Sequence, residues 1–282
     1  MKINPFEKFD ELVENLATAK KVTIGFGLQE YDEEVLESLR RSSKYASIVL
    51  VCPPGIKIEG FSVVISDNPE KKLAEMLVSG EIQGVCRGTV DDFKTLEAYT
   101  ALTGKTYSED SPCIIEDALG HRFFLSPIAN PQGWDKEERF KIALGLSKFS
   151  TEWNIDTKVA ILTGVRHGTY ERKKDIKDGI VGVLNKTYEE AEWIVNELKQ
   201  NNVEAKNWSI DLDLAVKDGY TIIVPVNGMV GNQIFRAILL SGGKLLTATY
   251  FGLDHFIEDN SRNEKNLDFH IKWLAALINK GK

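Results

Sequence analysis

Apolar positions along the chain switch between two periods. Phe6, Phe9, Val13 and Leu16 recur at spacings of three and four, which lines one face of a helix. Lys21–Phe26 (KVTIGF) then reads as a strand ending in Gly25-Phe26-Gly27. A helix follows around Val35, Leu36 and Leu39, and the strand Ala46–Cys52 is stopped by Pro53-Pro54. Ser62–Ile65 is a short strand, and Pro69 stands at a first helical position before Leu73, Met76 and Leu77. Ile82–Cys86 is the next strand, with Asp91 as N-cap of a helix through Phe93, Leu96 and Ala98.

Beyond Ser111-Pro112 two strands, Cys113–Glu116 and Arg122–Ser126, flank the turn residues Gly120-His121. Asp135 with Glu138 forms a capping box for a helix whose stripe is Ile142, Leu146, Phe149 and Trp153. Strands are predicted at Val159–Thr163, Ala205–Ile210, Thr221–Val224 and Leu245–Tyr250. Helices are predicted through Ala191, Ile194 and Leu198, over Ile234–Leu240, and through Leu267, Ile271, Leu274 and Ile278. Strands alternating with helices imply parallel pairing through crossovers, hence an α/β architecture. Ligands in such folds sit outside the carboxyl ends of strands. That directs attention to the segments 25–27, 87–89, 129–133, 164–172, 227–232 and 254–262.

Composition adds exclusions. No apolar run approaches the ~20 residues of a membrane span, and the opening MKINPFEKFDELVENL lacks a signal-peptide apolar core. Cys52, Cys86 and Cys113 are three widely spaced thiols in apolar runs, the pattern of reduced cysteines in a cytoplasmic protein. With 35 basic and 42 acidic residues the net charge is −7, which argues against nucleic-acid binding. The expected setting is cytoplasmic, with no membrane and no nucleic-acid partner.

Several familiar motifs fail. Gly25-Phe26-Gly27 would need glycine at position 30 to complete a dinucleotide fingerprint, and Glu30 stands there. Gly104-Lys105-Thr106 lacks the upstream glycine of a P-loop and reads as a helix C-cap. His121, His167, His255 and His270 show no metal-ligand spacing, so no metal is expected.

Three segments carry more information. Lys158–Arg166 (KVAILTGVR) is a strand entering a Gly-Val-Arg turn; Thr221–Asn232 (TIIVPVNGMVGN) is a strand, a Pro-x-Asn turn and a Gly-Asn pair opening a helix. Asn260–Asp268 (NSRNEKNLD) sets Ser261-Arg262 in a loop with an acid seven residues after the serine. With Ser126–Pro131 (SPIANP) and Asn185–Glu192 (NKTYEEAE), this ordered set over roughly residues 80–280 resembles the phosphate acetyltransferase/butyryltransferase superfamily. Length and wording most resemble its methanogen branch, described as methyltransferase subunit X or as a methanogen marker protein.

That resemblance implies a two-domain isocitrate/isopropylmalate-dehydrogenase-like (phosphotransacetylase-like) α/β fold with an interdomain cleft. The implied ranges are 1–111 with 253–282 for a discontinuous first domain and 112–252 for a second, dimerising one, giving a homodimer. It implies an acyl group moved between phosphate and a thiol such as coenzyme A, which would be a substrate, with no permanently bound cofactor. A thiol of pKa near ~8.5 needs a base, the role implied for Asp268. Arg262 would hold phosphate in its planar fork, and Ser261 would hydrogen-bond the oxyanion. The residues read equally as a solvated loop at Ser261-Arg262 and, at Asp268, as an acid complementing a helix dipole.

A small anionic metabolite is the expected ligand, met by Arg87, Asn130, Gly164, Arg166, Arg172, Asn227, Gly231 and Asn232. Gly231-Asn232 would present free backbone N–H groups at a helix start. Two departures from the superfamily bear on coenzyme A: Cys86-Arg87-Gly88 replaces a small loop, and Val165–Lys174 (VRHGTYERKK) is bulky and basic. Two other readings stand beside acyl transfer: a methyltransferase component of methanogenic one-carbon metabolism, and a non-catalytic metabolite- or protein-binding member of the fold.

Overall fold

The computed structural model describes residues 4–107, 113–129, 132–262 and 264–281. In chain order the elements begin α1 (Glu7–Ala19), β1 (Val22–Gly27), α2 (Glu33–Ser42), β2 (Ala46–Cys52), β3 (Ser62–Ile65), α3 (Pro69–Ser79), β4 (Gly84–Cys86) and α4 (Asp92–Thr103). They continue with β5 (Cys113–Glu116), β6 (Arg122–Leu125), α5 (Lys136–Glu152), β7 (Val159–Leu162), α6 (His167–Lys173), α7 (Gly179–Gln200) and β8 (Ala205–Ser209). The last are α8 (Leu212–Lys217), β9 (Ile222–Val224), α9 (Gly228–Leu240), β10 (Lys244–Tyr250), β11 (Phe256–Asp259) and α10 (Asp268–Lys280).

The chain forms two compact units, Asp10–Ser108 with Leu246–Lys282, and Met1–Phe9 with Glu109–Leu245. In the first, strands lie in the order β3-β2-β1-β4-β11-β10. All neighbours are parallel except β10 against β11. Phe26 and Glu258 both register with Cys86, so β1, β4 and β11 end level and their exit loops emerge side by side. Leu73, Leu77, Ile82, Val85, Tyr99 and Ile257 belong to its buried core.

In the second unit the order is β5-β6-β9-β7-β8, antiparallel only at the β5–β6 hairpin. Phe6 and Phe9 belong here, and not with the range 1–111 expected for them. Their rings pack on Phe124 and Trp153, a contact that helical periodicity cannot assign to a partner.

Most elements begin where the chain's polar signals place them. Asp32, Asn68, Asp91 and Asp135 each accept a hydrogen bond from a first-turn amide of the helix they cap. Gly104 closes α4 at φ 71°, as a C-cap glycine does. Four elements differ from the periodic reading, one of them the short helix α8, where no helix is predicted. α9 starts six residues before Ile234, because Asn227 caps it. α6 buries no residue and so has no apolar stripe. β11 is a four-residue strand within 254–262, disguised by the buried acid Glu258.

Candidate functional site

In the first unit the exit loops of β1, β4 and β11 are fastened to one another. Asn260, just past β11, is 2% exposed. Its Oδ1 accepts from the Gly88 amide at 2.9 Å, and its Nδ2 donates to the Gly88 and Ser261 carbonyls at 3.1 and 3.0 Å. Gly88 has φ +68°, and a Cβ there would stand 2.1 Å from the Gly27 carbonyl oxygen. The Thr89 amide donates to that same oxygen at 2.9 Å, and the Thr89 hydroxyl accepts from the Gln29 amide at 2.8 Å.

The glycines at 25 and 27 are packing positions. A Cβ at Gly27 would meet Val90 at 2.5 Å and the Arg87 carbonyl at 2.6 Å, so close packing requires glycine there. Burial pushes the Cys86 thiol up, so it is held as a neutral core group rather than a nucleophile.

Arg87, expected to meet a substrate anion, is turned inward and 4% exposed. Nε donates to Asp259 Oδ1 at 2.7 Å, Nη1 to the Val90 carbonyl at 3.1 Å, and Nη2 to the Asn260 carbonyl. The physical reason is the half-buried acid at the end of β11, which pairs with the inward-turned guanidinium. The second Asp259 oxygen accepts from the Tyr250 hydroxyl at 3.2 Å. Burial first, then Asp259, raises that phenol.

Arg262 remains at the surface of this cluster with 56% of its side chain exposed. Its Nη2 donates to Asp91 Oδ2 at 2.7 Å and lies 3.6 Å from Asp92. Asp91 also caps α4, and the Lys94 amide and Arg262 hold its carboxyl below the usual range. The Ser261 carbonyl accepts from the Glu264 amide at 2.9 Å, which closes a turn around Arg262.

Asp268, the expected base, is tied to α2. Oδ1 accepts from Ser38 Oγ at 2.9 Å and Ser42 Oγ at 3.1 Å, and Oδ2 accepts from Arg41 Nε at 3.0 Å. Ser38 Oγ in turn accepts from the Leu267 amide at 2.7 Å. An ionised carboxylate offers about four lone-pair sites, and three are committed to α2. The acid seven residues after the serine is therefore a brace between α10 and α2, while the serine-arginine turn faces α4.

In the second unit residues 127–129 and Gln132 are clasped by the start of α9. A Cβ on Gly228 would stand 1.8 Å from the Ala129 carbonyl, and one on Gly231 1.9 Å from that of Pro127. Asn232 Nδ2 donates to the Ile128 carbonyl at 2.9 Å. The helix start is not an open row of donors. The Gly228 amide goes to the Gln132 carbonyl at 2.8 Å, the Val230 amide to Asn227 Oδ1 at 2.9 Å, and the Gly231 amide to the Asn227 carbonyl at 2.9 Å. Asn227, Gly231 and Asn232 thus join helix to loop. Asn130 lies outside the described residues.

Gly164 donates its amide to Thr187 Oγ1 at 2.9 Å, with Leu184 where a Cβ would be. Arg166 is 67% exposed and 3.8 Å from Asp211, and Arg172 reaches Thr169 at 3.3 Å. Tyr170 stacks on Tyr188 at 4.1 Å. The structure therefore brings Ser261, Arg262 and Arg87 into one cluster and places Gly164, Arg166 and Arg172 in the other unit. The residues that organise the cluster, Asn260 and Asp259, fall within the strand-exit segment 254–262 and directly precede Ser261-Arg262, but the sequence assigns them no role of their own. Among the described residues no group of three or more His, Cys, Asp or Glu is disposed to hold a metal. None of their helices is long and apolar enough to cross a membrane.

No protein-family model matches the chain. It is 32% identical over 223 residues to "Uncharacterized methyltransferase MJ1371" of Methanocaldococcus jannaschii, covering 77% of this chain and 80% of that one. It is 28% identical over 271 residues to a protein of Methanosarcina barkeri named as methyltransferase mtx subunit X, covering 93% and 95%. Among solved structures it is similar to the EutD phosphotransacetylase from Staphylococcus aureus, with TM-score 0.63, 16% identity, and 95% and 99% of the two chains covered. A phosphotransacetylase from Streptococcus pyogenes gives TM-score 0.62 at 12% identity, with 99% of each chain covered. At such identities the likeness is one of fold, and the α/β fold is that of the phosphotransacetylases.

Proposed function

The chain belongs to the methanogen family of MJ1371 and the methyltransferase mtx subunit X proteins, and from that premise we propose a transferase built on the phosphate-acyltransferase fold. In this reading it moves an acyl group between phosphate and a thiol such as coenzyme A, or acts on a related anionic metabolite. The observation that carries it is Arg262: an exposed guanidinium on a clamped turn at the carboxyl ends of β4 and β11. Ligands of α/β sheets collect at such edges.

Arg262 would exchange Asp91 for the phosphate of the substrate, a bidentate match for its planar fork. The Ser261 hydroxyl would donate to the carbonyl oxygen as negative charge develops on it. The thiolate sulfur bonds to the acyl carbon, the carbon–oxygen bond to phosphate breaks, and phosphate leaves with the electron pair. Asp268 enters as a brace, and the thiol proton passes to solvent. Arg87 sets the loop. We also propose a homodimer through the unit containing α9, which turns Met229 and Leu240 to solvent. Sedimentation velocity giving only a 31.6-kDa species would remove the dimer.

A second reading, a component of a methyl-transferring system, is favoured by the names of relatives that align over nearly their whole length. One experiment separates the two. Thermal unfolding of wild type and Arg262→Ala is followed with inorganic phosphate, acetyl phosphate, coenzyme A, S-adenosylmethionine and coenzyme M. A ligand at about 100 times its Kd adds roughly 2.7 kcal/mol. Stabilisation by phosphate or acetyl phosphate that Arg262→Ala removes, with acyl-coenzyme A formed on mixing, supports acyl transfer. Stabilisation by S-adenosylmethionine or coenzyme M alone supports methyl transfer and overturns the first reading.

A further inference from the structure

An acid–imidazole–acid row, buried at Glu258 and His270 and half-buried at Glu264, lies beside the Arg262 turn. Glu258 on β11 and His270 on α10 are both fully buried. Glu258 Oε1 meets His270 Nδ1 at 2.7 Å and accepts from the Ala248 amide at 3.0 Å. Its Oε2 accepts from the Thr247 hydroxyl at 3.0 Å and from the Thr249 hydroxyl. Trp273 Nε1 donates to that second hydroxyl at 2.7 Å. On the opposite edge of the ring, His270 Nε2 is buried without a hydrogen bond and lies at ion-pair distance, 3.5 Å, from Glu264 Oε2.

Burial by itself would depress this imidazole, but the carboxylates of Glu258 and then Glu264 outweigh it and push it up to about 9. At neutral pH the ring is an imidazolium with a donor on each side. Glu258 alone would complete a buried ion pair. The second acid has a different address: Glu264 belongs to the turn, and its amide closes that turn onto the Ser261 carbonyl at 2.9 Å. At its other end the same carbonyl is held by Asn260. The turn is therefore tied to the β4 exit loop through Asn260 and faces the core through Glu264.

We propose that His270 is a positioning residue for the Ser261–Arg262 turn, anchored on Glu258 and holding the turn through Glu264. The inference rests on the reading of Arg262 as an anion anchor. His270 touches no substrate; it sets where the guanidinium stands. A charged donor fixed in the core suits that task better than a solvated one, because its position is set by packing and by four hydrogen bonds to Glu258.

The test uses the full chain and the variants Glu264→Gln, His270→Asn and Arg262→Ala. Glu264→Gln removes the charge facing the ring and leaves the buried Glu258–His270 pair in place, so it stays informative if His270→Asn does not fold. Two quantities are measured: amide hydrogen exchange of peptides covering 259–266, and the affinity for inorganic phosphate. In Glu264→Gln the turn should exchange roughly tenfold faster with β1 and β4 unchanged, and phosphate should bind roughly tenfold more weakly. Unaltered exchange in the turn overturns the proposal. So does unaltered phosphate affinity when Arg262→Ala loses it. A wild type that binds no phosphate overturns the reading of Arg262, and hydrogen exchange then decides for or against His270.

Discussion

Asn260 and Gly88 exchange two hydrogen bonds, the Gly88 amide to Asn260 Oδ1 at 2.9 Å and Asn260 Nδ2 to the Gly88 carbonyl at 3.1 Å. A side chain here does what a neighbouring strand would do, and it does so past the end of the sheet. Replacing it leaves buried backbone groups without partners, each costing about 1–3 kcal/mol. Asn260→Ala is expected to lose roughly 2–4 kcal/mol in urea unfolding with an unchanged m-value. A loss under about 0.5 kcal/mol would mean that water replaces the clamp freely.

Glycine at 88 is required twice, by its φ of +68° and by the Gly27 carbonyl 2.1 Å from where a Cβ would be. Gly55 shares only the first demand, with φ +96° and nothing within 4 Å. Gly88→Ala should therefore cost at least ~2 kcal/mol more than Gly55→Ala, whose penalty is the ~1 kcal/mol of a strained backbone. Equal midpoints for the two variants would show that the loop after β4 yields.

The His270 imidazole is held at about 9 against an unperturbed 6.5. The native state binds this proton more tightly than the unfolded chain, so its contribution is complete below 6.5 and is lost as pH rises through 9. Unfolding free energy should fall by roughly 2–4 kcal/mol across that window. In His270→Asn the fall should flatten. A wild-type profile level from pH 6.5 to 9.5 would place a neutral ring beside Glu258.

Asp268 is expected to act on stability. Asp268→Asn weakens its ties to Ser38, Ser42 and Arg41 and should cost about 1–2 kcal/mol, while phosphate affinity stays within about twofold. The contrary pattern, full stability with turnover abolished, would return Asp268 to the role of base.

Amino-acid order went a long way in this chain. The alternation of β-rich runs with helical stripes, the caps at Asp91 and Asp135, and the glycine stop at 104 are local physics, legible within a turn or two of backbone. The same holds for the α/β class and for the likeness to phosphotransacetylases, which rests on ordered short segments. Where residues broke those local rules, reading failed. A buried glutamate hid β11, and a helix without an apolar stripe hid α6.

Which charge meets which was decided by tertiary structure alone. Arg262 takes its partner 171 residues away at Asp91, and Asp268 takes Ser38 across 230 residues. Arg87, equally cationic in sequence, is turned inward onto Asp259. Periodicity shows that a residue faces inward or outward, because backbone geometry repeats every turn or every second residue. It carries no term for the neighbour contributed by a distant strand. The fold brings the β1, β4 and β11 exits to one edge, and only there does an arginine become either a structural pin or an anchor left facing solvent.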